Sequence, residues 1–290
     1  MSIETVSRRR ALQAIPAVIG MSTIGATRAR AQKYHIGGAE LKLGIASYSF
    51  RKFKREQVIQ MTKQLGTTYL NIKPDAHLPL NSTPGEIAAA KKEFDDAGIV
   101  LVGCGTVYFL KDDEADMRSK FEYAKRAGFP LIVAGPTQVT LPKLERLVKE
   151  FDIKIAVHNH GPEDKYFPTP QSVLKIVKNL DPRMGCCIDV GHTARTGANV
   201  VDSIAEAGPR LLDMHMKDLE NPSTKESQVP VGEGKLPIPQ IFMQLIKMKY
   251  DHCVNLEYEI DAENPMPGMQ KSFSYMRGVL AGLQAAGYSG

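Results

Sequence analysis

The stretch Lys154–His192 reads KIAVHNHGPEDKYFPTPQSVLKIVKNLDPRMGCCIDVGH. It opens with an apolar run (154–160), turns at Gly161-Pro162, continues as a helical segment from Pro170, and closes on a second apolar run (184–190). Two short β-rich runs joined through one helix form a parallel βαβ unit. Both runs end in side chains suited to chemistry: His158-Asn159-His160 on the first, Asp189 and then His192 on the second. Side chains alternate along a strand, so His158 and His160 share one face. A buried imidazole is costly unless it is hydrogen-bonded or bound to something.

The same rhythm extends outward in both directions. LKLGIASYS (41–49), TTYLNIK (67–73), IVLVGCG (99–105) and PLIVAGP (130–136) precede the pair, and LLDMHMK (211–217) and CVNLEYE (253–259) follow it. Helical stretches lie between them, with Pro and Ser/Thr starts and Gly stops. Eight strand–helix units in about 250 residues predict a single (β/α)8 TIM barrel. A doubly wound sheet would show a Gly-rich turn after its first strand. SYSFRKFKRE (47–56) has none.

The chain's start does not fit this pattern. Arg8, Arg9 and Arg10 precede an apolar stretch from Ala11 to Ala26, and Ala29-Arg30-Ala31 offers a small-x-small site. This layout predicts a cleavable signal segment over residues 1–31, with SRRRAL (7–12) of the twin-arginine type, and a barrel over 32–290. Export to the periplasm is the expectation. The apolar stretch is shorter than the roughly 20 residues of a spanning helix, and Pro16 and Gly20 interrupt it, so no stable membrane span is expected after cleavage. The full chain carries a net charge of +5. Residues 1–31 hold five Arg and one Glu, which leaves 32 basic and 31 acidic residues and a net charge of +1. A basic track for nucleic acid is therefore not expected. Cys104, Cys186, Cys187 and Cys253 form no C-x-x-C pair and sit in apolar runs, so buried free thiols are expected. A homo-oligomer is left open.

In a (β/α)8 barrel, chemistry gathers where the strands end. The fifth strand delivers His158 and His160, the sixth Asp189 and His192, the seventh His215 and Lys217, and the eighth Glu257 and Glu259. Any one of these could simply cap a helix or bind a backbone carbonyl. Four consecutive strands supplying imidazole and carboxylate to one rim point instead to one divalent metal ion, such as Mn2+, Zn2+, Co2+ or Fe2+. Lys73 and His77, after the second strand, are candidates to bind substrate oxygens. Tyr48, Phe50, Tyr108 and Phe109 are candidates for an apolar wall under a small-molecule ring. The Gly-bearing segment 220–235 is a candidate lid.

With IDVGH (188–192), HMKDL (215–219), VGEGKLPIPQIF (231–242) and NLEYE (255–259) in this order, the chain resembles the sugar phosphate isomerase/epimerase superfamily with its xylose isomerase-like barrel. The resemblance implies a carbohydrate substrate, a metal held by Asp189, His215 and Glu257, and His192 on substrate hydroxyls. It further implies proton abstraction next to a carbonyl, through a metal-stabilised enediolate, as in isomerases and epimerases. His158 stands where relatives have a metal-binding Glu, which leaves His160 beside it for catalysis or substrate. The pairing of two Glu residues across the sugar is thus missing. His160 or Glu257 could act as the base, or Lys217 or Lys73 if burial lowers its pKa; Lys217 and Glu259 also rank as substrate-binding groups. Two alternatives follow: a lyase or hydrolase of 3-keto-glycosides using the same metal and enolisation, or an exported sugar-binding protein without turnover. AP endonucleases share the barrel, but the net charge of +1 argues against them.

Overall fold

The computed structural model describes residues 33–290. The predicted signal segment lies outside the described residues. Eleven strands occur among those described: β1 (Lys33–Ile36), β2 (Ala39–Ala46), β3 (Tyr69–Ile72), β4 (Val100–Phe109), β5 (Leu131–Pro136) and β6 (Lys154–His158), then β7 (Met184–Asp189), β8 (Leu211–Met216), β9 (Asp218–Leu219), β10 (Gln228–Val229) and β11 (Cys253–Leu256). Eight of them close into a parallel barrel in the order β2-β11-β8-β7-β6-β5-β4-β3, with β3 paired back to β2. The expected TIM barrel is the observed fold. The fifth, sixth, seventh and eighth barrel strands are β6, β7, β8 and β11.

Two additions lie outside the expected pattern. β1 turns back through Gly37-Gly38 and pairs antiparallel with β2, so the first barrel strand has a hairpin partner. β9 and β10 pair antiparallel within the segment after β8, so the candidate lid is partly an ordered hairpin.

The helices follow from local sequence. In α3 (Pro84–Ala97), Thr83 and Glu86 form a capping box, Pro84 fills the first turn, and Gly98 ends the helix in the left-handed region. In α6 (Pro170–Val177), Thr169 caps and Pro170 opens. Apolar faces of these and the other helices bury against the barrel. Tyr34, Leu41, Phe94, Phe121 and Phe242 belong to one continuous core. Cys104, Cys186, Cys187 and Cys253 are free and buried. Among the described residues, no helix is long and apolar enough to cross a membrane.

Candidate metal centre

His158 ends β6, Asp189 ends β7, His215 lies on β8 and Glu257 directly follows β11. Parallel pairing brings Asp189 level with His215 and sets Cys187, two residues before Asp189, beside His158. His158, Asp189, His215 and Glu257 each offer one donor atom, and the four atoms lie within 4.8 Å of one another. His158 Nε2 is 2.9 Å from His215 Nδ1 and 3.8 Å from Asp189 Oδ2. His215 Nδ1 is 3.1 Å from Glu257 Oε2. Ligands about 2.1 Å from a tetrahedral ion sit roughly 3.4 Å apart, so these spacings suit one shared cation.

Asp189 is fully buried, yet its Oδ2 has no hydrogen-bond partner. The Lys217 ammonium, 3.1 Å away, offsets its charge, and the oxygen keeps lone pairs that a cation can take. The donor set, two imidazoles and two carboxylates, fits the divalent ions expected from the sequence.

The charges are unevenly held. Burial, with His160 and His215 nearby, keeps the His158 imidazole well below its usual range and therefore neutral, the state a ligand needs. Burial also opposes charge on His215, but the Glu257 carboxylate outweighs it and pushes His215 up to about 9. Burial would raise Glu257, whereas His215 and Lys217 hold its carboxyl well below the usual range.

Lys217 requires a correction. A base at this position would need a lowered pKa. Burial does favour the neutral amine, but Asp189, Glu257 and Glu259 outweigh it and raise the group well above its ordinary value. Nζ lies 3.1 Å from Asp189 Oδ2 and 3.0 Å from Glu257 Oε2, and it donates to Glu259. Lys217 is a fixed cation, not a proton acceptor.

His77 is corrected as well. It falls within the four-residue helix α2 (Pro74–His77) and is buried. Its Nδ1 is 2.8 Å from Ser47 Oγ and its Nε2 3.2 Å from the Phe50 carbonyl. With both ring nitrogens occupied, it ties the first two barrel loops together and does not reach the mouth. Phe50 and Phe109 are fully buried core residues, which removes them from the apolar wall.

The other candidates surround one hollow of about 170 Å3. Tyr48, Lys73, Tyr108, His158, His160, His192, Glu257 and Glu259 line it. Lys73 donates to the Thr106 carbonyl at 3.2 Å and lies within 6 Å of the Tyr48 and Tyr108 ring centres (5.9 and 5.7 Å). His160 holds Nδ1 3.3 Å from Asp164 Oδ2 and stacks against Tyr108. The His192 imidazole contacts Arg195 Nη1 at 3.2 Å.

Asn159, Asp218 and Gln228 hold the site in place, and no sequence signal marked the role of Asn159 or Gln228. Asn159 has the opposite parity to its histidine neighbours. Its Oδ1 accepts from the Asp189 backbone N–H and its Nδ2 donates to Thr193 Oγ1, both at 3.1 Å, which locks β6 to the end of β7. Asp218 accepts from the N–H groups of Gly232, Gly234 and Leu236, and a Cβ at Gly234 would collide with its carboxylate. The glycines of VGEGK thus permit close approach. Gln228 on β10 donates to the Glu257 carbonyl (2.7 Å) and accepts from Glu259 N–H (2.9 Å), clamping the hairpin to the strand end that carries both carboxylates.

A family model described as a xylose isomerase-like TIM barrel matches residues 59–279. The chain belongs to this family. Solved structures of the xylose isomerase-like barrel type superpose over most of the chain. An IolI protein with a bound zinc atom gives a TM-score of 0.71 at 17% identity, covering 83% of this chain and 98% of that one. L-ribulose 3-epimerase gives 0.68 at 14% identity, covering 84% and 96%. D-psicose 3-epimerase from Clostridium cellulolyticum H10, with D-tagatose, gives 0.66 at 17% identity, covering 82% and 98%. These identities establish a shared fold. A search among curated proteins finds no match.

Proposed function

We propose that the protein is a carbohydrate isomerase or epimerase that binds one divalent metal through His158, Asp189, His215 and Glu257 and removes a proton next to a sugar carbonyl. The observation that carries this reading is the convergence of those four donors, one atom from each lying within 4.8 Å of the others. When bound, the metal supplies Lewis acidity that polarises the carbonyl and eases loss of the neighbouring proton.

The chain's own residues divide the remaining work. Asp164 beside Nδ1 of His160 favours the tautomer that leaves Nε2 free to accept a proton, so His160 is the base. Lys217, held by three carboxylates, supplies a fixed positive charge where negative charge develops. Protonated His160 then returns the proton to the neighbouring carbon, while Glu257, held as a carboxylate by His215 and Lys217, would serve as a ligand. Lys73, His192 and Glu259 line the hollow and bind hydroxyls. Tyr48 and Tyr108 cover the ring's apolar face.

A second reading draws on the imidazole at the end of β6. With His158 in place of a carboxylate, the two sides of the hollow carry chemically different groups. Such asymmetry suits elimination from a 3-keto-glycoside, in which one group takes the proton and another assists the departing substituent. We also propose that the twin-arginine-type start directs the protein to the periplasm, which cell fractionation tests.

Deuterium exchange tests the central reading whatever the product. The Mn2+-loaded protein in D2O should place one deuterium beside the carbonyl of a ketohexose or a 3-keto-sugar, and Glu257→Gln should abolish this. No exchange into any member of both series would overturn the reading. Product analysis then separates isomers from eliminated glycosides.

A further inference from the structure

The hollow over the donor cluster continues outward. Its volume of about 170 Å3 falls short of the roughly 300–1,000 Å3 of small-molecule sites. A second cleft of about 470 Å3 adjoins it and shares Tyr108, His160 and His192 with it. His160 is the hinge between the two, with its ring 4.2 Å from that of His158 and stacked 6.2 Å from that of Tyr108.

The outer cleft has an apolar floor. Among the described residues, exposed large apolar side chains are few. Tyr108 (47% exposed), Leu110 (58%) and Val139 (61%) lie along this cleft and its continuation, which meet at Leu110, Lys165 and Tyr166. Clustered exposure of this kind marks a binding surface.

The carboxylates of Glu163 and Asp164 lie among Arg195, Lys165 and Lys225, so the charges lining the cleft balance to within one unit. Arg195 pairs with Glu163, and Asp164 is taken by His160 and by the N–H groups of Tyr166 and Phe167. Lys165 lies over the Tyr166 ring, 4.7 Å from its centre. A neutral, flat-faced occupant fits better than an ion.

We propose that this cleft is a second subsite that holds the ring attached to the reacting sugar. The substrate class is then a glycoside of at least two rings, with a neutral outer ring stacked on Tyr108 and Leu110. This inference rests on the carbohydrate reading above and deepens it.

Calorimetric titration of the Mn2+-loaded protein tests it with three probes: 3-keto-D-glucose, its phenyl β-glycoside, and cellobiose oxidised to the 3-ketone on its non-reducing ring. Both two-ring probes should bind at least tenfold tighter than the single sugar, and the larger gain identifies the outer ring as aryl or sugar. Leu110→Asp should cut that gain at least threefold. Val100→Asp, at an apolar site of similar exposure (48%) on the opposite end of the barrel, should not. Equal binding of one-ring and two-ring probes would overturn the subsite while leaving the carbohydrate reading intact. No binding by any probe would overturn both. If Leu110→Asp alters the oligomeric state in size-exclusion chromatography and spares the gain, the patch is an interface and the subsite is refuted.

Discussion

Two polar layers lie inside this barrel, one above the other on the same strands, and they hold their carboxylates in different ways. The lower layer holds Asp213 on β8, Asn255 on β11 and Asn71 on β3. Asn255 and Asn71 donate to the two carboxylate oxygens of Asp213 at 2.7 and 3.1 Å. Burial pushes Asp213 up to about 6, yet both its oxygens have partners, and Asn255 Oδ1 is the atom of this trio buried without a hydrogen bond. The upper layer, two residues further along, holds His215 and Glu257 on those same strand ends, with His158, Asp189 and Lys217. Here Asp189 Oδ2, His158 Nδ1 and His215 Nε2 are buried without hydrogen bonds. Neutral amides fix the lower carboxylate and rigidify the barrel, whereas imidazoles and an ammonium surround the upper ones, a donor set suited to a cation.

The sharpest break between the layers comes from removing one member of each. Asp189→Ala should abolish binding of one metal equivalent and lower deuterium exchange at least 10³-fold, measured by calorimetry and NMR. His160→Ala should lower exchange about 10²–10³-fold, in keeping with loss of a general base, yet retain the metal. Loss of metal in that variant would move the ligand assignment from His158 to His160. In the lower layer, Asn71→Ala should cost about 2 kcal/mol of stability in urea unfolding, because a buried carboxylate loses a donor, while metal stoichiometry stays at one.

Protonation distinguishes the metal-free site further. Glu257 raises His215 to about 9 from an ordinary value of 6.5. The stability this lends is fully present below about 6.5 and is lost as pH rises through about 9. The metal-free protein should therefore show a falling Tm over that window, and the Zn2+-loaded protein should not, because the metal replaces the proton. The smallest effect concerns the thiols. Burial pushes Cys186 up to about 12 and raises the other three, so a thiol reagent at pH 8 should label none in the folded protein and four after unfolding.

The barrel was legible because strand and helix periodicities alternate with little interruption, and the mouth because strand ends determine which residues converge. Chain order and side-chain parity brought His158, His160, Asp189, His215, Glu257 and Glu259 to one rim, and the resemblance to the superfamily then implied which of them hold a metal. Where the sequence misled, the cause was packing between distant segments. His77 sits in a polar loop sequence, but a short helix turns it inward onto Ser47 and Phe50. Lys217 looked like a base because burial lowers an amine's pKa. Three carboxylates from other strands reverse that effect. Asp213 shares the parity of His215, and that regularity was the available sign of a second inward layer.

Metal content after purification without added metal, measured for the wild type and for His158→Ala, bears most directly on the donor cluster. One equivalent of a divalent transition ion in the wild type and less than a tenth in the variant is the expected result. A wild type that neither contains nor takes up an ion, or a variant that retains a full equivalent, would contradict the convergence of these four side chains on one cation.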